Sequence, residues 1–312
     1  MTFQATKFLR MGLAGLAAAA SGALLSIQAG WAGAKEVLVT TVAPAANPIP
    51  AASLPFPVRL TFHDEFDGFS FFDEHSQSGR WRTQFGYGGP TMVESRALAG
   101  NGERQAYVDR DFHGVGGERF TVDPFRIANG ALEITADRAS PAVKKAIWGQ
   151  DYTSGMIATR FSFAQRYGYF EMRAAMPVGK GFWPAFWLLP MDKSWPPEID
   201  IVEAIGGDHL FFTPHCPGEH SKAAGDMKLS NPGAFHTYGL LWTAEKLRWY
   251  VDGHPVAEAA ACPAMRRPMY VLVNFAVGGK WPGNPDSSTP FPARMKLDYI
   301  RVWQSPDELA RD

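Results

Sequence analysis

The sequence predicts an all-β fold, an antiparallel sandwich or barrel formed by one domain over about residues 56–305. Short runs rich in β-branched and aromatic residues recur at roughly 8–12-residue spacing. The 31 glycines and 24 prolines lie mainly between these runs, and helical periodicity is nearly absent. The aromatic residues are numerous, with 22 Phe, 10 Trp and 9 Tyr. They suit strands and supply flat surfaces for stacking.

The predicted strands follow one another along the whole domain, and several alternate apolar and polar residues with period two. Val251-Asp252-Gly253-His254 contains the Asp-Gly signal of a tight hairpin. Pro263–Arg267 and the tail 306–312 predict no more than a turn of helix. The predicted strands are Val58–Phe62, Leu132–Ala136, Gly155–Phe163, Tyr169–Met176, Phe182–Leu189, Ile199–Ala204, Phe235–Trp242, Leu247–Val251, Tyr270–Val277 and Met295–Trp303.

Residues 1–34 have the pattern of a bacterial export signal. Lys7 and Arg10 precede an uncharged stretch rich in Ala, Leu and Gly, and Ala32-Gly33-Ala34 supplies a small-x-small cleavage site. The alternative is an uncleaved membrane anchor, but the stretch is short for a span. Residues 35–55 are rich in proline and predict an exposed linker. We therefore expect export to the periplasm or the extracellular space, with no membrane insertion after the signal is removed.

The charge balance of the sequence argues against a nucleic-acid-binding function. Thirty Lys and Arg face 31 Asp and Glu, a formal charge of −1. No basic excess is available to neutralise phosphates, so we expect no nucleic-acid partner. The two cysteines, Cys216 and Cys262, could pair or stay free and buried, and an oxidising compartment favours pairing.

The most informative segment is the acidic run Pro197–Ala204. In a strand, Glu198 and Asp200 point to one face and the intervening isoleucines to the other. A regular strand would turn Glu203 towards the core, where an unpaired carboxylate costs several kcal/mol. A β-bulge at Ile201-Val202 returns Glu203 to the acidic face. The alternative is an exposed strand with three solvated acids.

The bulged arrangement has a chemical consequence. The Cα atoms of Glu198 and Glu203 then lie roughly 13 Å apart. With both side chains leaning inward, the carboxyl groups come to about 5 Å, the separation of a retaining glycosidase; an inverting enzyme needs about 6.5–9.5 Å. Asp200 between them raises the pKa of a neighbour, as a general acid requires.

Glu198-Ile199-Asp200-Ile201-Val202-Glu203 resembles the bulged signature of glycoside hydrolase family 16, the laminarinase- and lichenase-like endoglycanases. Further segments resemble the family in the same order and cover most of the chain after residue 55. They are 64–67 (DEFD), 101–105 (NGERQ), 168–173 (GYFEMR), 181–187 (GFWPAFW), 235–238 (FHTY), 249–253 (WYVDG), 274–283 (NFAVGGKWPG) and 297–302 (LDYIRV).

The resemblance implies a jelly-roll sandwich of two curved antiparallel sheets, concanavalin A-like, with a concave substrate cleft. It implies Glu198 as nucleophile, Glu203 as general acid/base and Asp200 as their helper. No cofactor is expected for catalysis. A structural calcium on the convex face is implied at Glu65 and Asp298, and the alternative is that both are ordinary surface acids.

Several residues are candidates for binding sugar, whose apolar ring faces stack on aromatic side chains. Trp183 and Trp187 share one face of a predicted strand, and Trp281 lies in a glycine-rich loop. The resemblance adds four polar residues: Asn101, Gln105, Arg173 and His215. Asn-Gly-Glu-Arg-Gln at 101–105 departs from the Asn-Asn-Glu-Leu-Gln common in laminarinases and looks more like exported glycanases that trim exopolysaccharides.

The predicted function is a retaining endo-β-glycanase that hydrolyses a β-1,3- or mixed β-1,3/1,4-glucan. The alternatives are an exopolysaccharide-processing glycanase or transglycosylase and, less favoured, a non-catalytic carbohydrate-binding sandwich. The expected partner is a polysaccharide substrate, and we expect a monomer.

Overall fold

A computed structural model describes residues 58–86, 93–117 and 121–305. The predicted export signal (1–34), the linker (35–55) and the tail (306–312) lie outside the described residues and stay predictions. Within the described ranges, no helix is both long and apolar enough to cross a membrane.

The described part of the chain contains sixteen strands, one short α-helix and three 3-10 turns. The strands are β1 (Arg59–Asp64), β2 (Gln105–Tyr107), β3 (Phe125–Ala128), β4 (Ala131–Arg138), β5 (Tyr152–Ser154), β6 (Met156–Ala158), β7 (Gly168–Ala175), β8 (Phe182–Pro190), β9 (Glu198–Ile205), β10 (His209–His215), β11 (Gly225–Lys228), β12 (Phe235–Trp242), β13 (Lys246–Val251), β14 (His254–Ala260), β15 (Met269–Val277) and β16 (Ala293–Gln304). The helix α1 is Pro141–Ala146, and the 3-10 turns are Val93–Ser95, Ala99–Asn101 and Pro263–Met265.

The strands form two sheets. The larger has the order β14-β13-β12-β7-β16-β4-β5-β2, with β1 paired to β16 and β3 to β4. The smaller has the order β11-β10-β9-β8-β15-β6. Pairing is antiparallel except between β2 and β5. The predicted all-β sandwich is therefore confirmed.

The main core lies between the sheets and is filled by alternate residues of each strand. Phe182, Phe186 and Leu188 of β8 and Val273 and Phe275 of β15 are all fully buried in it. Because successive side chains on a strand point to opposite faces, the residues between them face away from the core. On the six-stranded sheet, that second face carries the candidate site.

Most predicted strands match the observed ones, and two differences have local causes. The predicted run Gly155–Phe163 ends as a strand at Ala158, because the chain turns there and Phe161 adopts φ 78°. The helix α1 was not predicted. It begins after Ser140, whose side chain accepts a hydrogen bond from the Val143 amide and so caps the first turn.

The hairpin predicted at Asp252-Gly253 is confirmed. Val251 pairs with His254, and the two turn residues have φ 49° and 78°, the left-handed conformations that a two-residue hairpin requires. The two cysteines, whose pairing the sequence left open, are joined in the structure by a disulfide between Cys216 and Cys262. It ties the residue that follows β10 to the turn that follows β14.

Candidate active site

The outer face of the six-stranded sheet forms the floor of a cleft with a volume of about 1140 Å³. Side chains from β8, β9, β10, β11 and β15 line it, together with loops at both ends. The lining includes Asn101, Glu103, Arg160, Trp183, Trp187, Lys193, Trp195, Glu198, Asp200, Glu203, His209, Phe211, His215, Asp226, Tyr270, Asn274 and Trp281.

The predicted β-bulge is present in β9. In the pairing with β8, Phe186 is opposite Val202 and Trp187 is opposite Asp200, so Ile201 is the extra residue. The pairing with β10 shifts at the same place, between Phe211 and Thr213. Ile199, Ile201 and Val202 are all buried in the core. The bulge therefore allows Glu198, Asp200 and Glu203 to share the cleft face.

Each of the two glutamates accepts a hydrogen bond from a tryptophan. Trp183 Nε1 donates to Glu203 Oε1 at 2.9 Å, and Trp195 Nε1 donates to Glu198 Oε2 at 2.9 Å. These bonds orient the carboxyl groups and tie them to the aromatic walls of the cleft. Trp195 immediately precedes Pro196-Pro197, so the same short segment positions both the indole and Glu198.

Asp200 is 2% exposed and pairs with His215. His215 Nε2 lies 2.7 Å from Asp200 Oδ2 and 3.5 Å from Glu198 Oε1, while its Nδ1 lies 2.6 Å from the Ser221 hydroxyl. Burial disfavours the charged imidazole, but the charges of Asp200 and Glu198 outweigh it and raise the pKa of His215 to about 10. A cationic His215 therefore stands beside the acids.

The pKa values of both glutamates are raised, and in each case burial is the main cause and the charge of Asp200 the next. The pKa of Glu198 rises to about 8, and that of Glu203 rises well above its usual range. His215 favours the ionised form of either group. Glu198, which lies within 3.5 Å of His215, therefore ionises first, and Glu203 keeps its proton.

Aromatic rings form one wall of the cleft beside Glu203. The ring centres of Trp183 and Trp281 lie 5.5 Å apart in an edge-to-face contact, and those of Phe211 and Trp281 lie 4.7 Å apart. Trp187 also lines the cleft, but it is 6% exposed and its Nε1 donates to Asn274 Oδ1 at 2.7 Å. Trp183 and Trp281 are therefore better placed than Trp187 to stack on a sugar ring.

Asn101 and His215 line the cleft as expected, whereas two other candidates lie elsewhere. Gln105 is fully buried. Its amide nitrogen donates to Glu103 and its amide oxygen accepts from the Val277 backbone, so the side chain is already satisfied within the fold. Arg173 lies on β7 of the ten-stranded sheet and donates to Asp298 at 2.5 Å. Neither Gln105 nor Arg173 therefore lies where it could contact a substrate in the cleft, contrary to the expectation from the sequence.

The two carboxylates expected to hold calcium are both paired with arginine. Glu65 accepts two hydrogen bonds from Arg301, at 2.9 and 2.7 Å, and Asp298 is the partner of Arg173. A guanidinium on each carboxylate does not fit the anionic oxygen set that calcium prefers. Calcium binding at Glu65 and Asp298 stays a prediction to which this geometry adds no support.

One other group has the spacing of metal ligands. Among the described residues, Glu198, Asp200 and His215 place ligand atoms within 4.8 Å of one another. The hydrogen bond between His215 and Asp200 already occupies that space, so we interpret the group as an acid–base network.

Sequence reasoning missed several cleft residues. Trp195, the donor to Glu198, follows Ser194 in a loop and carries no strand periodicity, although its position three residues before Glu198 was a usable signal. Glu103 and Asn274 line the cleft as buried polar groups. They lie within segments quoted for the family resemblance, but nothing in their spacing distinguishes them from structural residues.

The geometry defines a class. A β-sheet cleft holds two half-buried glutamates on either side of an aspartate–histidine pair, next to tryptophan rings. This arrangement is suited to a protein that cleaves saccharides. A sequence profile of the Glycosyl hydrolases family 16 matches residues 119–301. The chain belongs to this family.

Individual relatives agree with the family. Endo-1,3-1,4-beta-glycanase ExsH of Rhizobium meliloti (strain 1021) is 43% identical over 247 residues, which cover 78% of this chain and 51% of that protein. The Beta-glucanase of Rhodothermus marinus is 32% identical over 235 residues, which cover 66% of this chain and 75% of that protein. The chain thus spans about half the length of the first relative and three quarters of the second.

A solved structure is similar in fold as well. The catalytic domain of an endo-1,3-beta-glucanase (laminarinase) from Thermotoga petrophila RKU-1 aligns with a TM-score of 0.65 and 30% identity. The alignment covers 80% of this chain and 99% of that one. It supports the jelly-roll sandwich expected from the family resemblance.

Proposed function

We propose that this protein is a retaining endo-β-glycanase acting on a β-1,3- or mixed β-1,3/1,4-glucan. The observation that carries the proposal is the bulge in β9, which turns Glu198 and Glu203 to one side of a cleft that is open to a polymer. The relatives named endo-1,3-1,4-beta-glycanase and beta-glucanase support this linkage class.

The first chemical step uses both glutamates. Glu203, protonated because burial and Asp200 raise its pKa, donates its proton to the glycosidic oxygen that leaves. Glu198, ionised, attacks the anomeric carbon as that bond breaks, and a covalent glycosyl-enzyme forms. His215 and the Trp195 indole stabilise the negative charge of Glu198 before attack.

The second step reverses the roles. Glu203 has lost its proton to the departing sugar and now accepts one from water. The water attacks the anomeric carbon from the face that the leaving group vacated, and the bond to Glu198 breaks. Two inversions give net retention at the anomeric carbon.

The direct test replaces each glutamate by its amide in the purified protein. We expect E198Q and E203Q to lower kcat on laminarin or lichenan by about 10²–10⁴-fold or more, because each removes a group that acts in the transition state. E258Q is the matched control, since Glu258 is a surface residue of β14 outside the cleft.

Measurement of reducing ends and of thermal unfolding separates loss of chemistry from loss of fold. Full activity in folded E198Q would overturn the proposed nucleophile. Binding of glucan by the wild-type protein without any release of reducing ends would instead support the carbohydrate-binding sandwich.

A further inference from the structure

Arg160 is a buried cation in the cleft that the proposed mechanism does not use. It lines the cleft, yet only 3% of its surface is exposed. Its Nη2 donates to the Met191 carbonyl at 3.3 Å, and the Tyr270 hydroxyl is a second polar neighbour. Its Nε is buried and has no hydrogen-bond partner among the described residues. No carboxylate of the described residues lies within ion-pair distance of it.

Burying the Arg160 guanidinium without a counter-charge costs free energy. An arginine stays protonated in a protein, and removing its charge from water without a counter-charge is unfavourable. Its guanidinium lies 5.1 Å from the ring centre of Phe161 and 5.7 Å from that of Tyr270. These rings hold the guanidinium in place, but they supply no anion and leave its buried Nε unpaired.

The sheet register places the backbone of Arg160 three strands from β9. It follows β6, and the backbone of Thr159 bonds to Val271 of β15. Tyr270 pairs with Leu189 of β8, and β8 in turn pairs with β9 next to Glu198. Three strand spacings, roughly 14 Å, therefore separate the backbone of Arg160 from that of the proposed nucleophile. The side chain of Arg160 crosses part of this distance, because its Nη2 bonds to Met191 just after β8.

From these positions we infer that Arg160 forms an anion-recognising subsite that binds a carboxylate on a saccharide unit held in the cleft. The planar guanidinium matches a carboxylate in shape and charge, and Lys193 adds a second cation to the lining. The substrate class is an acidic β-glucan. This inference rests on the proposed function and narrows it, since the same cleft would also hold a neutral chain.

The carboxylate could belong to the sugar ring, as a uronic acid, or to a substituent. The test therefore compares three polymers of equal length: laminarin, laminarin partly oxidised at C6, and carboxymethylated laminarin. For the wild-type protein we expect kcat/KM on at least one acidic polymer to exceed that on laminarin about 10- to 100-fold, the range for a hydrogen bond to a charged group. Added salt should reduce the preference.

Two variants locate the effect. We expect R160M to reduce the acidic-to-neutral ratio of kcat/KM about 10- to 100-fold through KM, and R160K to retain part of it. Arg248 provides the control. It lies on β13 of the ten-stranded sheet, paired with Glu258 and outside the cleft, so R248M should leave the ratio unchanged.

The outcomes are distinct. Equal kcat/KM on all three polymers in the wild-type protein would overturn the inference and leave the proposed function intact, and that result needs no variant. A wild-type preference that R160M retains, with only a lower melting temperature, would show that Arg160 is structural and would also overturn it. If the protein cleaves none of these three polymers and does not cleave lichenan either, the proposed function itself is overturned.

Discussion

At the scale of single residues, the site depends on a few contacts that divide two similar carboxyl groups into different roles. Both glutamates are half-buried beside Asp200, and loss of solvent together with the charge of Asp200 raises the pKa of each. What distinguishes them is their neighbours, because Glu198 faces His215 and Trp195 while Glu203 faces Trp183. In the proposed mechanism, this asymmetry makes Glu198 the nucleophile and Glu203 the acid, although both are glutamates.

The raised pKa values predict where activity lies on the pH axis. The reactive state needs Glu198 ionised and Glu203 protonated. Activity should therefore rise as pH passes the pKa of Glu198, about 8, and fall when Glu203 loses its proton at still higher pH. The acid limb of kcat/KM on laminarin should lie well above 4.5, the ordinary value for a glutamate.

The variant D200N tests the physical cause of that limb. After burial, the negative charge of Asp200 does most to raise the pKa of Glu198, so removing that charge should move the acid limb to lower pH. The pH profile of whatever activity remains checks this shift. An acid limb near 4.5 in the wild-type protein, or one that moves upward in D200N, would contradict the role given to Asp200.

At the scale of elements, the disulfide and β10 act together on the site. Cys216 directly follows His215 at the end of β10, and its bond to Cys262 closes a loop across a sequence separation of 46 residues. The crosslink limits the freedom of the segment that positions His215 against Asp200. Its loss should therefore affect both stability and catalysis.

We expect C216S/C262S to lower the free energy of unfolding by about 4 kcal/mol, the chain-entropy value for a loop of this size. Without the crosslink, His215 should be held less firmly against Asp200, and kcat on laminarin should fall several-fold. Denaturant unfolding and initial rates measure the two effects, and wild-type protein treated with a reductant should behave like the double variant. Unchanged stability in both samples would show that the bond does not form in the native protein.

The sequence predicted elements best where side-chain pattern and backbone requirement coincide. Alternation predicted β12 with its observed ends. The Asp252-Gly253 pair predicted the hairpin between β13 and β14. The conflict between Glu203 and a core position predicted the bulge in β9. Short strands such as β2 and β5 were missed because three residues cannot display a period.

At the scale of the whole molecule, the sandwich geometry decides which side chains reach the cleft. Arg173 appears in a segment that resembles the family, yet it lies on the ten-stranded sheet, with Met172 and Ala174 beside it facing the core. Its side chain therefore points to the outer face of the ten-stranded sheet, away from the cleft. Gln105 likewise serves Glu103 and Val277 within the fold. Periodicity along one strand cannot tell which of two sheets that strand joins.

The same geometry reveals what local patterns do not. Arg160 follows a three-residue strand and belongs to no motif, and only the pairing of β6 with β15 places it in the cleft. Trp195 reaches Glu198 from a loop for a similar reason. The proposed catalytic acids were predictable because their chemistry and their strand pattern conflict. The surrounding residues were not, because tertiary pairing alone brings them together.

The proposed chemistry requires Glu198 and Glu203 to cleave a β-glucan by two successive displacements. The anomeric configuration of the first reducing ends released from laminarin or lichenan, followed by proton NMR before mutarotation, tests this requirement without any variant. We expect the β-anomer to form first and E198Q to release neither anomer. Initial release of the α-anomer would indicate a single displacement by water and would contradict the assignment of Glu198 as nucleophile.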